Sequence, residues 1–320
     1  MDALSLTPST DCQPGTKISL LRQRAQIMAV IRAFFHERDV LEVQTPHLGQ
    51  APASDPYLSA LTVIDSTGKR RYLQTSPEYA MKRLLVLGSG SVYQLDKAFR
   101  DDEHGRLHQC EFTLLEWYRL GFNEHKLMSE IDDLLRLILN TNKAVRLSYA
   151  EVFLDHFKIN PHCVDSNILK TLVKQHCGDI VGLDHPSKDD LLNVLFSRVI
   201  EPALGHETPC FIYDYPASQA ALAKLKCVDG SEVAARFELF YKGIELANGY
   251  HELQDVEVHR QRFSQDLLIR KQHNLPIVPL DDAFMQALES GLPDCAGVAL
   301  GVDRLVMLAL KQATIQAVMV

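Results

Sequence analysis

The sequence contains no apolar run long enough to span a bilayer: the longest candidate, "GVALGVDRLVMLAL", is interrupted by Asp303 and Arg304. No membrane-crossing segment is expected. A basic excess is also missing. With 33 Lys and Arg against 41 Asp and Glu, the formal net charge is -8, so there is no general attraction to nucleic acid or to an anionic membrane surface. The 7 cysteines (Cys12, Cys110, Cys163, Cys177, Cys210, Cys227 and Cys295) are odd in number and follow no framework spacing, which suits reduced thiols rather than a disulfide scaffold. The opening "MDALSLTPST" has neither the basic nor the apolar region of a signal peptide. Repeats and low-complexity segments are absent as well. A soluble, cytoplasmic protein is the expectation.

What is present suffices for a full globular core. The 320 residues are 46% hydrophobic and 23% charged, enough for one large domain or two small ones. After a polar tail to residue 16, apolar residues at helical spacing from Leu20 to Phe35 mark a long helix over 18–38. "VLEVQTP" reads as a strand ended by Pro46, and "RYLQT" as another. "SPEYAMKRLLVLG" has the form of a helix with Ser76 as N-cap, Pro77 at the first helical position and Gly88 at the stop. "SVYQLDKAFR" and "CEFTLLEWYRL" alternate around a polar loop and form an antiparallel hairpin. Helical patterns return over 126–139 and 189–200. Strands follow in "PCFIYDYP" and "EVAARFELFYKGIEL", and "GVALGVDRLVMLAL" reads as strand, glycine turn and helix. Helices set between mostly antiparallel strands give an α+β fold, an antiparallel sheet flanked by helices.

The stretch "FRDDEHGRLHQCEFTLLEWY" carries the densest chemistry. As a strand, "EFTLLEWY" places Phe112, Leu114, Glu116 and Tyr118 on one face and Trp117 on the other. A flat aromatic stacks on a base, and a carboxylate with a phenol holds an amine. Arg100, on the facing limb, has the fork geometry that meets a phosphate. Taken alone, the same face is equally consistent with a solvated polar pair on a hairpin.

Three separated motifs resolve the choice. "VLEVQTP" resembles motif 1 of class II aminoacyl-tRNA synthetases, "FRDDEHGRLHQCEF" resembles motif 2 and "GVALGVDRL" resembles motif 3. The resemblance runs from about residue 17 to the C-terminus and is closest to the lysine branch, through "TSPEY", "EFTLLEWY" and "GIELANGYHEL". Motif 1 begins within the first fifty residues, so an anticodon-binding domain is not expected, and no tRNA anticodon binding with it. The expected organisation is a tail over 1–16 and a catalytic domain over 17–320. "ELANGYHEL" and "DYPASQAALAK" are similar to a stand-alone subgroup, the elongation factor P lysine ligases. That resemblance implies an ATP-dependent ligase which activates (R)-β-lysine, or lysine, as an adenylate and transfers it to a lysine of elongation factor P. A homodimer through motif 1 is implied too.

The roles implied by the resemblance are specific. Arg100 meets the α-phosphate, Arg304 meets the γ-phosphate and Phe112 stacks on adenine. Asp101, Asp102, His108, Gln109, Glu245, Leu246 and Gly301 complete the ATP contacts. Glu245 and Glu252 are the acidic positions for Mg²⁺. Ser76, Pro77, Glu78, Tyr118, Glu252 and Ala299 surround the amino acid, with Glu78, Tyr118 and Glu252 holding ammonium groups. Asn248 and Gly249 mark an expected bend. The chain departs from the synthetase pattern at Asp101-Asp102 and at Gln109-Cys110, and it has Ala247 and Ala299 where the synthetases have glycine. Those added methyls crowd a pocket floor, and we expect them to favour an amine on the next carbon over α-lysine.

Other features have plainer readings. His162-Cys163 and His176-Cys177 match no common zinc spacing. "GSGS" at 88–91 is a helix stop and turn, "ASDP" is a loop, and Trp117 packs away from the site. Two rivals follow from the same residues: another class II amide ligase, and a noncatalytic synthetase paralogue. "TSPEY" with "EWY" favours lysine over the first, and the presence of Arg100 and Arg304 disfavours the second.

Overall fold

The computed structural model describes residues 14–101, 104–180 and 186–319, with side chains from residue 17. Asp102 and the tail as far as residue 13 therefore lie outside the described residues. The fold is α+β, with two compact units. One comprises the described residues of Met1–Phe122 with Leu137–Asn140 and Gln254–Val320; the other comprises Asn123–Arg136 and Thr141–Leu253. No helix among the described residues is long and apolar enough to cross a membrane.

In the first unit, the strands Leu41–Glu42, Val92–Phe99, Glu111–Leu120 and Cys295–Gly301 lie side by side in that order. The two central strands form the expected hairpin, from Val92 opposite Tyr118 to Phe99 opposite Glu111. Cys295–Gly301 pairs antiparallel with Glu111–Leu120, placing Ala299 opposite Glu116. The long helix spans Pro14–His36 and buries Ile27, Ile31 and Phe35 completely. Phe35 stacks on Tyr93 and meets Trp117 edge-on, so the tryptophan packs on the helix side of the sheet. Each such fully buried side chain contributes roughly 2 kcal/mol of apolar transfer.

Local chemistry shifts several expected boundaries. "VLEVQTP" pairs over Leu41–Glu42, parallel to Val92–Phe99, with the Val43 N–H on the Tyr93 carbonyl at 2.9 Å; beyond it the Thr45 N–H donates to the Gln94 side chain at 2.9 Å instead of to a ladder. The second helix is Glu78–Val86 with Pro77, not Ser76, as its N-cap; the Ser76 hydroxyl still accepts the Glu78 N–H at 3.3 Å. Gly88 follows that helix at φ +85, as a stop glycine should. Gly301 has an ordinary φ of -73 and is the N-cap of Val302–Ala309, so no left-handed turn is required there.

In the second unit, Ile244–His251, Ser231–Tyr241, Cys210–Pro216 and Val145–Ser148 are neighbours in that order, with Leu225–Val228 paired to Ser231–Tyr241. Val145–Ser148 runs parallel to Cys210–Pro216 and the other pairs are antiparallel, so the strands are mixed rather than wholly antiparallel. The strand Ile244–His251 continues through Asn248 and Gly249 without the expected bend; the irregularity is a register shift opposite it, at Leu239/Phe240. The helix expected over 189–200 is α-helical over Lys188–Leu195 and widens to a π turn at Phe196–Ile200. Pro202, without an N–H, blocks regular continuation. Gly205 (φ +70) abuts the Ser231–Tyr241 strand so closely that a Cβ would lie 2.6 Å from the Phe240 carbonyl oxygen.

Candidate active site

The hairpin brings Arg100 and Phe112 together. The Arg100 guanidinium carbon lies 5.1 Å from the Phe112 ring centroid, and its Nε donates to the Thr75 carbonyl at 3.4 Å. One short strand pair thus holds both a cation and a flat apolar face. Asp101 is exposed at the turn with its N–H on the Ser59 carbonyl, and Gln109 is half-buried.

The hairpin loop is tied down from the far end of the chain. Arg106 Nη1 donates to the Ala313 carbonyl at 3.3 Å, Gln316 Nε2 donates to the Gly105 carbonyl at 2.8 Å, and the Ile315 N–H donates to the Arg106 carbonyl at 3.1 Å. Arg304, in the first turn of Val302–Ala309, points Nη2 to His108 Nε2 at 2.8 Å and Nε to the Leu107 carbonyl at 3.2 Å. Its neighbour Asp303 is buried, accepts the Thr113 N–H at 2.7 Å and pairs with Arg24 at 2.7 Å. Asp303 thus ties the strand residue next to Phe112 to the helix that carries Arg304.

Glu78 and Tyr118 are linked through a residue that the sequence reading passed over. The Lys82 ammonium lies 2.7 Å from Glu78 Oε1 and 5.9 Å from the centroid of the Tyr118 ring. The Tyr118 hydroxyl donates to Glu116 Oε1 at 2.7 Å, as their shared strand face requires. Ser76 and Glu78 line a cavity of about 590 Å³, together with Tyr79, Arg71, Arg83 and Asp281 among others. Tyr79 stacks on Phe284 with centroids 4.3 Å apart, and burial raises its phenol well above the ordinary range. Beside it His259 is fully buried; burial first, and the Lys82 charge second, lower its pKa to about 4.

The second unit carries the remaining expected residues. Leu246 and Glu252 are buried and Glu245 is half-buried. A polar cluster centres on Arg236, also missed at the sequence level. Its guanidinium pairs with Glu238, donates from Nε to Asn248 Oδ1 at 3.2 Å and from Nη1 to the Gln219 carbonyl at 2.8 Å. The Tyr215 hydroxyl completes the Glu238 carboxylate at 2.7 Å. Burial opposes the Arg236 charge, but Glu238, Tyr250, Tyr215 and Glu245 together hold it firmly protonated. The alternation of "RFELF" was the available signal, since it sets Arg236 and Glu238 on one face. Elsewhere in this unit Lys226 bridges Glu124 at 2.5 Å and Asp214 at 2.7 Å. Burial alone raises Glu124, yet hydrogen bonds from His251 and Lys226 bring it down to about 2.

A family model for tRNA synthetases class II (D, K and N) matches residues 11–320. The chain is 47% identical over 306 residues to the elongation factor P--(R)-beta-lysine ligase of Vibrio parahaemolyticus serotype O3:K6, covering 94% of this chain and 94% of that protein. It is 46% identical over 312 residues to the protein of the same name from Pectobacterium carotovorum subsp. carotovorum, covering 96% and 95%. Against the Salmonella typhi protein of that name the figures are 48% over 303 residues, 93% and 93%.

Proposed function

From the premise that this chain belongs to the class II tRNA synthetase family (D, K and N), we propose that it is an ATP-dependent ligase joining (R)-β-lysine to a lysine side chain of elongation factor P. The observation that carries this reading is the match, over at least 93% of both chains, to relatives bearing that one name. The geometry of the first unit is what such a reaction needs.

In the first step the substrate carboxylate oxygen attacks the α-phosphorus of ATP, the bond to the β-phosphate bridge breaks, and pyrophosphate leaves. Two anions must meet, so the protein has to cancel charge and fix approach rather than supply a nucleophile. Arg100 takes the α-phosphate and Arg304 the γ-phosphate. Phe112 receives adenine on its face. In the first unit Asp101, His108, Gln109 and Gly301 add nucleotide contacts, and the family resemblance gives Glu245 and Leu246 of the second unit the same role. The Tyr118 hydroxyl, already donating to Glu116, presents its oxygen as an acceptor to a substrate ammonium. Glu78 and Glu252 supply carboxylate acceptors, with Ser76, Pro77 and Ala299 shaping the pocket. In the second step the neutral acceptor amine attacks the acyl carbon, AMP leaves with the electron pair, and the amine nitrogen gives up a proton.

Mg²⁺ fits the residues in donor chemistry. Glu245 and Glu252 offer hard carboxylate oxygens, and among the described residues no group of three or more His, Cys, Asp or Glu forms a ready-made cage. Those two residues would hold Mg²⁺, and the ion would supply charge neutralisation. A cytoplasmic homodimer is part of the same proposal.

Incubating the chain with ATP, (R)-β-lysine and elongation factor P, followed by mass spectrometry of the acceptor, tests the reading. One added β-lysyl group per acceptor and one AMP per group are expected. An unmodified acceptor, under conditions where pyrophosphate exchange proves that adenylate forms, would remove the named acceptor.

A further inference from the structure

Lys82 is a lysine with no exposure to solvent, on the helix Glu78–Val86. Lysine is almost never sealed in this way unless its charge is paired. Its ammonium lies 2.7 Å from Glu78 Oε1, one turn back on the same helix, and 5.9 Å from the Tyr118 ring centroid on a neighbouring strand. It therefore contacts both residues of the first unit to which the proposed function gives a substrate ammonium.

The two ends of the ion pair differ. Lys82 is sealed, whereas the Glu78 side chain is 22% exposed and lines the cavity of about 590 Å³. An ordinary helix-surface pair has both ends in water and changes rotamer readily. Here packing holds the cation, so one carboxylate oxygen is held in turn. The pair as a whole is also neutral. A substrate ammonium thus donates directed hydrogen bonds to a fixed carboxylate, rather than meeting a bare negative charge that would accept an amine at any nearby position.

We propose that Lys82 is a positioning and specificity residue of the amino-acid pocket: its buried ammonium holds the Glu78 carboxylate and the Tyr118 ring in the one arrangement that distinguishes amines on neighbouring carbons. The proposal rests on the amino-acid-activating function given above. Lys82 itself touches no reacting atom in it. Its effect passes through Glu78 and Tyr118.

Amino-acid-dependent pyrophosphate exchange, with kcat and KM measured separately for ATP, (R)-β-lysine and α-lysine, tests it. In Lys82→Met the KM for the preferred isomer should rise about tenfold and the isomer ratio of kcat/KM should narrow about tenfold, with the ATP KM unchanged within about twofold. Adding Lys82→Met to Glu78→Gln should cost clearly less than the two single losses combined, since the first acts largely through the second. Equal changes in all KM values, or full additivity of the two substitutions, overturn the proposal. If Lys82→Met does not fold, Glu78→Gln, which leaves Lys82 in place, decides: an unaltered isomer ratio there overturns it, and a narrowed one supports it. A wild-type chain that exchanges with neither isomer overturns the function itself, whereas an active wild type with an indifferent Lys82→Met overturns only the role of Lys82.

Discussion

His108 Nε2 stands 2.8 Å from a guanidinium nitrogen of Arg304. A guanidinium only donates, so this ring nitrogen accepts and carries no proton. With the Leu107 carbonyl on Nε, two acceptors from one loop aim a single arginine. Replacing His108 by Ala should raise the KM for ATP about tenfold, the worth of one hydrogen bond to a charged group, with the amino-acid KM unchanged. His108→Gln retains an acceptor oxygen and should recover part of the loss in the same pyrophosphate-exchange measurement.

Asp303 joins the first helix to both nucleotide motifs, because it accepts from Thr113 N–H and pairs with Arg24, whose Nη2 also donates to the Thr113 hydroxyl at 2.9 Å. Asp303→Asn strands a mostly buried arginine charge. A loss of about 3 kcal/mol of unfolding free energy is expected by chemical denaturation. A raised ATP KM should accompany it, since Phe112 and Arg304 flank the two partners.

Acid should weaken the first unit through His259. Its pKa of about 4 lies below the ordinary histidine value, so the unfolded chain takes up the proton first as pH falls. The native advantage is whole above about pH 6.5, declines between there and about pH 4, and is lost below; its full size is about 3 kcal/mol. Denaturation midpoints of the wild type and His259→Phe, followed from pH 7 to pH 4, check this. The variant should show the smaller slope.

Ala299 sits opposite Glu116 in the strand register, beside the carboxylate that receives the Tyr118 hydroxyl. Its methyl is the difference from a glycine floor. Ala299→Gly should raise kcat/KM for α-lysine relative to (R)-β-lysine by roughly tenfold, read by exchange with each isomer.

The hairpin was legible because two apolar, aromatic-rich runs flank a polar loop, and its faces follow from strand parity alone, since Thr113 to Tyr118 are buried on both faces. Arg100, Phe112, His108 and Arg304 were legible through motif resemblance, and the structure groups them by pairs. Lys82 was not, since a lysine flanked by Met81 and Arg83 in a helical pattern reads as a solvated cation until the packing around it is known. Arg236 and Asn248 lie on different strands, and only the cross-strand register joins them. The Ser76 cap failed for a local reason: Pro77, at φ -79 and ψ 6, occupies the N-cap and moves the helix start one residue on. The bend at Asn248-Gly249 failed because neighbouring strand pairing absorbed the irregularity at Leu239/Phe240.

The loop of the nucleotide hairpin is closed by bonds that span 207 residues, from Arg106 to Ala313, and 211, from Gly105 to Gln316. During synthesis the two strands from Val92 to Leu120 emerge early, but the loop between them gains its bonds to Arg304 and to residues 313–316 only once those later residues leave the ribosome. On the proposed function, a nascent chain stalled before residue 304 has emerged should hold a paired hairpin and still fail to retain ATP.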